Sequence, residues 1–193
     1  MNSSERAVKI QPVLTPWDRK LMAWHEAGHA IVAHYSQEQE QICLISIEPT
    51  NEAFGMMKTA IRKQHNVTRT SLVGNISVAL AGRLAEELFL REISSCCAHD
   101  LNKARDIAIR MVASYGMGVR CGLLSCFNPV DHSFLLLSEH QRENLFLDVN
   151  DLIIEARDSA IEILNSHARQ VNNVASMILD KGTLSWKELQ PLL

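Results

Sequence analysis

A mainly α-helical protein with one small β element is what the sequence predicts, on three observations. Apolar residues recur at three- and four-residue spacing through most of the chain. β-rich patterning is confined to residues 42–61, and helix start and stop residues punctuate the rest. Hydrophobic residues make up 47% and charged residues 21% of the 193, a globular balance.

The elements follow in order. Residues 1–15 are polar, hold Pro12 and read as a mobile tail, leaving 16–193 as one domain. A helix over about 17–36 has Pro16 near its start, where a missing N–H costs nothing. ICLISIE at 42–48 reads as a strand, Pro49-Thr50-Asn51 as a turn, and 54–61 as a returning strand. A polar connection leads to a helix over 70–91, and SSCCAH reads as a loop. The next helix, 100–115, is predicted to align Leu101, Ala104, Ala108, Met111 and Tyr115 on one stripe, with Gly116 and Gly118 stopping it. Residues 119–137 read as irregular. Helices over 138–166 and 168–181 come next, the second ending at Gly182. Ser185 and Glu188 have the spacing of a capping box for a short last helix.

Bulk properties exclude several functions. A net charge of −3 offers no electrostatic footprint for nucleic acid. The longest apolar runs, such as FLLL at 134–137, are far too short to span a bilayer, so no transmembrane segment is expected. The first residues, MNSSERAVKIQPVL, lack the apolar stretch of a signal peptide. Five cysteines, two of them adjacent at Cys96 and Cys97, make a poor disulfide framework and fit a cytoplasmic setting.

One stretch is chemically conspicuous. In WHEAGHAIVAHY, 24–35, an otherwise apolar helix carries His25, Glu26 and His29. Three ionisable groups are costly to bury without a shared partner. Residues four apart lie one turn apart on the same face, so His25 and His29 can both aim a ring nitrogen at one ion. Glu26, about 100° round the helix, can reach a water on that ion. This is the HExxH arrangement, in which two neutral imidazoles bind Zn²⁺ and the glutamate acts as general base. Trp24, Ala27, Ala30 and Ile31 are burial-type flanks and argue against a solvated polar stripe. His34, about 140° from His29, falls on the opposite face.

Catalytic zinc takes three protein ligands and keeps one position open. A metzincin third histidine would need Gly at 32 and His at 35, where the chain has Val32 and Tyr35. The residues leave two sources: Glu86 or Glu87 in GRLAEELF, and Asp100 in SSCCAHDL. Cys96, Cys97 and His99 lie close in sequence, but thiolate zinc sites are typically structural, and the cysteines read as small hydrophobes.

HEAGHAIV (25–32), ALAGRLAEELF (79–89), AHDLNKARDIAIRMVASYGM (98–117), and EARDSAIEIL with LDKGTLSWKEL (155–164 and 179–189) occur in an order and spacing that resemble the peptidase domain of the FtsH-type ATP-dependent zinc metalloproteases. The resemblance runs from about residue 15 to the C-terminus. It implies a helical zinc peptidase fold over 16–193, with Asp100 as the third ligand beside His25 and His29 and with Glu26 catalytic. It also implies that one of Glu86 and Glu87 partners a ligating histidine, the other lying on a solvated face. Ala81-Gly82-Arg83 replaces the family's Gly-Gly-Arg, Ser94-Ser95-Cys96-Cys97 its Thr-Thr-Gly-Ala, and Pro49-Thr50-Asn51 its Pro-Arg-Gly. These departures spare the metal set and fall on segments expected to dock substrate.

The expected function is zinc-dependent hydrolysis of unfolded or partner-delivered polypeptides. Phe54, Gly55, Met56 and Met57 are expected to line an edge strand to which an extended substrate adds by main-chain pairing, with Gly55 marking a bulge or a close approach. No GxxxxGK[ST] occurs, so ATP-driven unfolding calls for a separate ATPase partner. The initial Met and its divergent leader suggest a stand-alone chain. By resemblance, a homo-oligomer, hexameric in the family, is expected. The competing reading is a non-catalytic zinc-binding regulatory or assembly module, against which the retained Glu26 argues, since a structural site needs no base.

Overall fold

The structure, a computed structural model, describes residues 14–36, 41–49, 55–60, 67–127 and 137–193. Helix α1 spans Pro16–Tyr35. Its start is fixed by reciprocal bonds: the Asp18 amide donates to Thr15 Oγ1 at 3.1 Å, and the Thr15 amide donates to Asp18 Oδ2 at 2.8 Å. Thr15 therefore already belongs to the helix cap, and the rest of the expected tail up to residue 13 lies outside the described residues.

Strand β1 is Gln41–Ser46, β2 Met56–Ala60, and β3 Thr183–Ser185. Their order is β2-β1-β3, with both pairings antiparallel, so β2 is an edge strand. A register shift at Cys43 separates the Ile42–Thr59 and Leu44–Lys58 pairs. β3 was not expected from sequence. It pairs for three residues with β1, directly after Gly182 ends the preceding helix at φ +78.

Helix α2, Arg69–Ala85, is the central element and packs against α1, against α3 (Ala98–Ala113) and against α4 (Glu139–Ser166). A π-helical turn, Glu86–Leu90, extends it and closes at Arg91 in the left-handed region. The expected helix over 70–91 thus changes hydrogen-bond period at Glu86, a widening common where a helix serves a site. The expected SSCCAH loop is ordered: Ser95–Cys97 forms one 3₁₀ turn, and Ala98 and His99 already belong to α3.

The predicted α3 stripe is wrong at both ends. Leu101 and Tyr115 are exposed, and the buried face is Ala104, Ala108, Met111, Val112 and Ala113. Among the described residues α3 is covered mainly by α2 and α4, so an apolar residue a turn beyond that seam is left exposed. α5, Ala168–Lys181, packs on α1, and α6, Trp186–Leu189, follows β3. Glu188 accepts from the Ser185 amide at 3.0 Å, as the capping spacing predicts. His140 is exposed, and His167 stacks on Tyr35 with ring centroids 3.6 Å apart.

The contact that positions the site is the α1–α2 crossing. Ala27, Gly28, Ala81 and Ala85 leave the two backbones nearly touching, and a Cβ on Gly28 would lie 2.6 Å from the Ala81 carbonyl oxygen. That approach brings His25 and His29 against Val78, Gly82 and Glu86, which recur every four residues along the facing ridge of α2. Among the described residues, no helix is long and apolar enough to cross a membrane.

Candidate metal centre

His25, Glu26 and His29 are all buried on α1, at 6%, 6% and 7% exposure. The two imidazoles have fixed tautomers, assigned from their partners. His29 Nδ1 lies 2.7 Å from the Val78 carbonyl oxygen, which can only accept, so Nδ1 carries the proton. His25 Nδ1 lies 2.6 Å from Glu86 Oε1 and likewise donates. In the neutral rings both Nε2 atoms then present lone pairs, and they face each other at 3.0 Å. Asp100, in the first turn of α3, adds a carboxylate oxygen 3.2 Å from His25 Nε2 and 3.4 Å from His29 Nε2.

Three lone pairs aimed at one point repel unless a cation lies between them. A proton gives partial relief: burial opposes charge on His25, but the Asp100 and Glu86 carboxylates outweigh it and raise its pKa to about 10. A metal ion relieves all three donors. At zinc–ligand bonds of about 2.0–2.1 Å, neighbouring tetrahedral donors lie about 3.3 Å apart. The observed separations of 3.0, 3.2 and 3.4 Å fit that cradle, and the three residues form a group able to hold a metal ion. Burial opposes ionisation of Asp100 as well, yet the two imidazoles beside it, His25 first, hold its carboxyl well below the usual range.

Glu86 is fully buried and accepts from His25, from the Ser94 amide at 2.6 Å and from Ser94 Oγ at 3.0 Å. Burial pushes its pKa up, but the His25 and Ser94 bonds win and lower it, so it stays a carboxylate. Glu87, the other of the pair, points away: it is exposed and pairs with Arg83 at 3.0 Å. Adjacent helical residues diverge by about 100°, so only one of the pair can face α1. The role of Ser94 was not foreseen in the run of small polar residues; its one signal is its place as N-cap of the 3₁₀ turn.

Glu26 differs from its neighbours. Its Oε2 is the buried side-chain polar atom without a hydrogen-bond partner among the described residues. Burial raises its pKa, against the lowering influence of the two histidines. It borders a cleft of about 700 Å³, together with His25, His29 and Asp100. Gly55, Met56 and Met57 line the same cleft from the start of β2, while Phe54 lies outside the described residues. Met22 and Val78 add apolar wall; His99 and Lys103 add a polar rim. Cys96 is exposed at the cleft, and Cys97 is buried with its thiol directed at the Ser94 carbonyl at 3.1 Å, so neither joins the donor group.

Such a site belongs to the class of helical metal-binding domains built on an HExxH turn. More particularly, the chain belongs to peptidase family M41, which it matches over residues 12–192. It is 32% identical over 194 residues to the ATP-dependent zinc metalloprotease FtsH 3 of Symbiobacterium thermophilum, covering 96% of this chain and 31% of that protein. It is 33% identical over 190 residues to FtsH 1 of Methylacidiphilum infernorum, with 94% and 30% covered. It is 31% identical over 190 residues to FtsH of Slackia heliotrinireducens, with 94% and 24% covered. The chain thus spans 24–31% of the length of these relatives, all named as zinc metalloproteases.

Proposed function

We propose that this chain is the hydrolytic module of a zinc-dependent endopeptidase acting on unfolded polypeptides. The observation that carries the reading is the contrast on one helical turn: His25 and His29 converge with Asp100 on a single point, while Glu26 beside them has a buried oxygen with nothing to bond. His25, His29 and Asp100 would hold Zn²⁺, which when bound supplies a Lewis acid that activates water near neutral pH and polarises the scissile carbonyl. Glu86 and the Val78 carbonyl fix the two rings through their Nδ1 protons. Glu26 accepts a proton from the attacking water and returns it to the leaving amine, and burial, by raising its proton affinity, suits it to both halves of that transfer. A structural site would have no use for such a base, which weighs against a non-catalytic regulatory module.

β2 is an edge strand at the cleft, so an extended substrate can add to it by main-chain pairing, its side chains meeting Met22, Met56 and Met57. The relatives are named ATP-dependent, and these 193 residues contain no GxxxxGK[ST] phosphate cradle. Unfolding is therefore assigned to an ATPase outside this sequence, with ring assembly, hexameric by family resemblance, feeding the cleft. Five free cysteines fit a reducing, cytoplasmic location.

The test is Glu26→Gln, assayed on unfolded casein with zinc counted per chain. Cleavage should fall by about 10²–10⁴-fold while one zinc per chain remains bound. Wild-type cleavage rates in the glutamine variant would remove Glu26 from the mechanism.

A further inference from the structure

We propose that Gly55 is a positioning residue for Glu26, and that the bare edge of β2 is what keeps the glutamate carboxylate where proton transfer needs it. The inference rests on the peptidase reading and adds a residue to it.

Three glycines surround the site, and each excludes a side chain for a different reason. At Gly28 a Cβ would meet backbone, lying 2.6 Å from the Ala81 carbonyl oxygen. At Gly82 it would lie 2.5–2.6 Å from three atoms of the His25 ring. At Gly55 it would lie 2.5 Å from Glu26 Oε1, 3.3 Å from its Cδ and 3.4 Å from its Cγ, so its three nearest neighbours are all Glu26 side-chain atoms. Non-bonded carbon and oxygen do not approach to 2.5 Å, so something must move. Gly55 is not among the positive-φ glycines of the described residues, and the overlap an alanine there would meet is with a side chain. The atom in the way is the far end of the Glu26 side chain, which can rotate about its own bonds. The fold therefore tolerates a methyl group at 55, and the base does not. Glu26 is 6% exposed and borders the cleft, so its carboxylate can give way only by leaving its present place for the cleft space. The three atoms nearest an added methyl all belong to Glu26, so any contact with His25, His29 or Asp100 would be no tighter than ordinary van der Waals distance and the metal cradle is spared.

The experiment compares Gly55→Ala in two backgrounds, wild type and Glu26→Asp, using a fluorogenic peptide, zinc content per chain and thermal unfolding. Shortening residue 26 by one methylene withdraws the carboxylate from the space a Cβ at 55 would occupy. In wild type, Gly55→Ala should lower kcat by about 10²-fold, the scale of a misplacement near 1 Å, with KM within about twofold of wild type and zinc and unfolding temperature unchanged. In the Glu26→Asp background the same methyl should cost less than about twofold, because the clash is already gone. Equal losses in both backgrounds, or a loss in KM alone, would overturn the proposal. So would a Gly55→Ala chain that fails to fold, because β2 rather than Glu26 would then be absorbing the overlap. Wild-type chain without chelator-sensitive cleavage is a different result: it removes the peptidase reading itself, and with it any base for Gly55 to position.

Discussion

The helical side of the cleft and its β2 side are built on opposite plans. On the helical side the Nδ1 of each of His25 and His29 is held by an acceptor within 2.7 Å, and Glu86 is held in turn by Ser94. On the β2 side Gly55, Met56 and Met57 are half-buried, β2 is an outer strand among the described residues, and Glu26 Oε2 has no hydrogen-bond partner among them. A cradle for an ion must exist before the ion arrives, so its donors are locked by a surrounding layer of hydrogen bonds. A base and a docking edge must remain available, so they are buried against small or flexible groups. The difference teaches that damage to the two sides should separate: zinc content reports the first, turnover at full zinc occupancy the second.

The sharpest way to break that comparison is Asp100→Ala. It removes one of three donors while leaving the two imidazoles on their helix. Zinc should fall well below one per chain at micromolar metal, and casein cleavage should drop to the level of chelated wild type. Cleavage persisting at full zinc occupancy would show that the donor set lies elsewhere. Asp100 is half-buried, so the chain should remain folded, which thermal unfolding checks.

Titration sharpens the contrast next. In the chelated protein His25 has a folded pKa near 10, above its ordinary 6.5. The stability contributed by its proton is therefore fully present below pH 6.5 and lost as pH rises from 6.5 towards 10. Zinc competes for the same Nε2, so metal uptake releases that proton, and apparent zinc affinity should rise with pH, by about tenfold per unit between 7 and 9. Chelated protein should lose unfolding temperature across this window, and zinc-loaded protein should hold it. Parallel curves for the two forms would show that His25 does not carry the competing proton.

Much of this arrangement is legible in the sequence, and the gaps have physical causes. His25 and His29 are readable because their relation is local: a spacing of four on one helix dictates a shared face. Asp100 is seventy-one residues from His29, and no periodicity links them; only the resemblance of four ordered segments singled it out from Glu86 and Glu87. Helix boundaries that rest on caps, such as Thr15 with Pro16 and Ser138 with Gln141, are within a residue or two of the expected ones. β3 escaped notice because three residues carry no pattern, and its existence depends on pairing with β1 across the chain. Leu101 and Tyr115 misled because an apolar stripe says which residues can be buried, while the width of the covering helices decides which are. The role of Gly55 is likewise tertiary: a glycine at the start of a strand signals a bulge or a close approach, but which group approaches, Glu26, is set by the fold.

Glu86 and Glu87 provide the finest division, since they are neighbours of identical chemistry on opposite sides of the contrast. Glu86→Gln keeps the shape but exchanges the acceptor of the His25 proton for an amide and breaks the paired bonds from Ser94. Zinc affinity should weaken by about 10–100-fold, as for other carboxylates behind a metal-bound imidazole, with competition against a chelator as the measurement. Glu87→Gln removes only an exposed pair with Arg83 four residues earlier on the same helix. Such pairs contribute about 0.3–0.5 kcal/mol, so the unfolding temperature should shift by no more than about 2 °C for a chain of this size, with zinc affinity and cleavage unaltered. A loss of zinc in the Glu87 variant as large as in the Glu86 variant would mean that the π turn can present either carboxylate to His25, and the division between the held and the open side of the cleft would no longer run between these two residues.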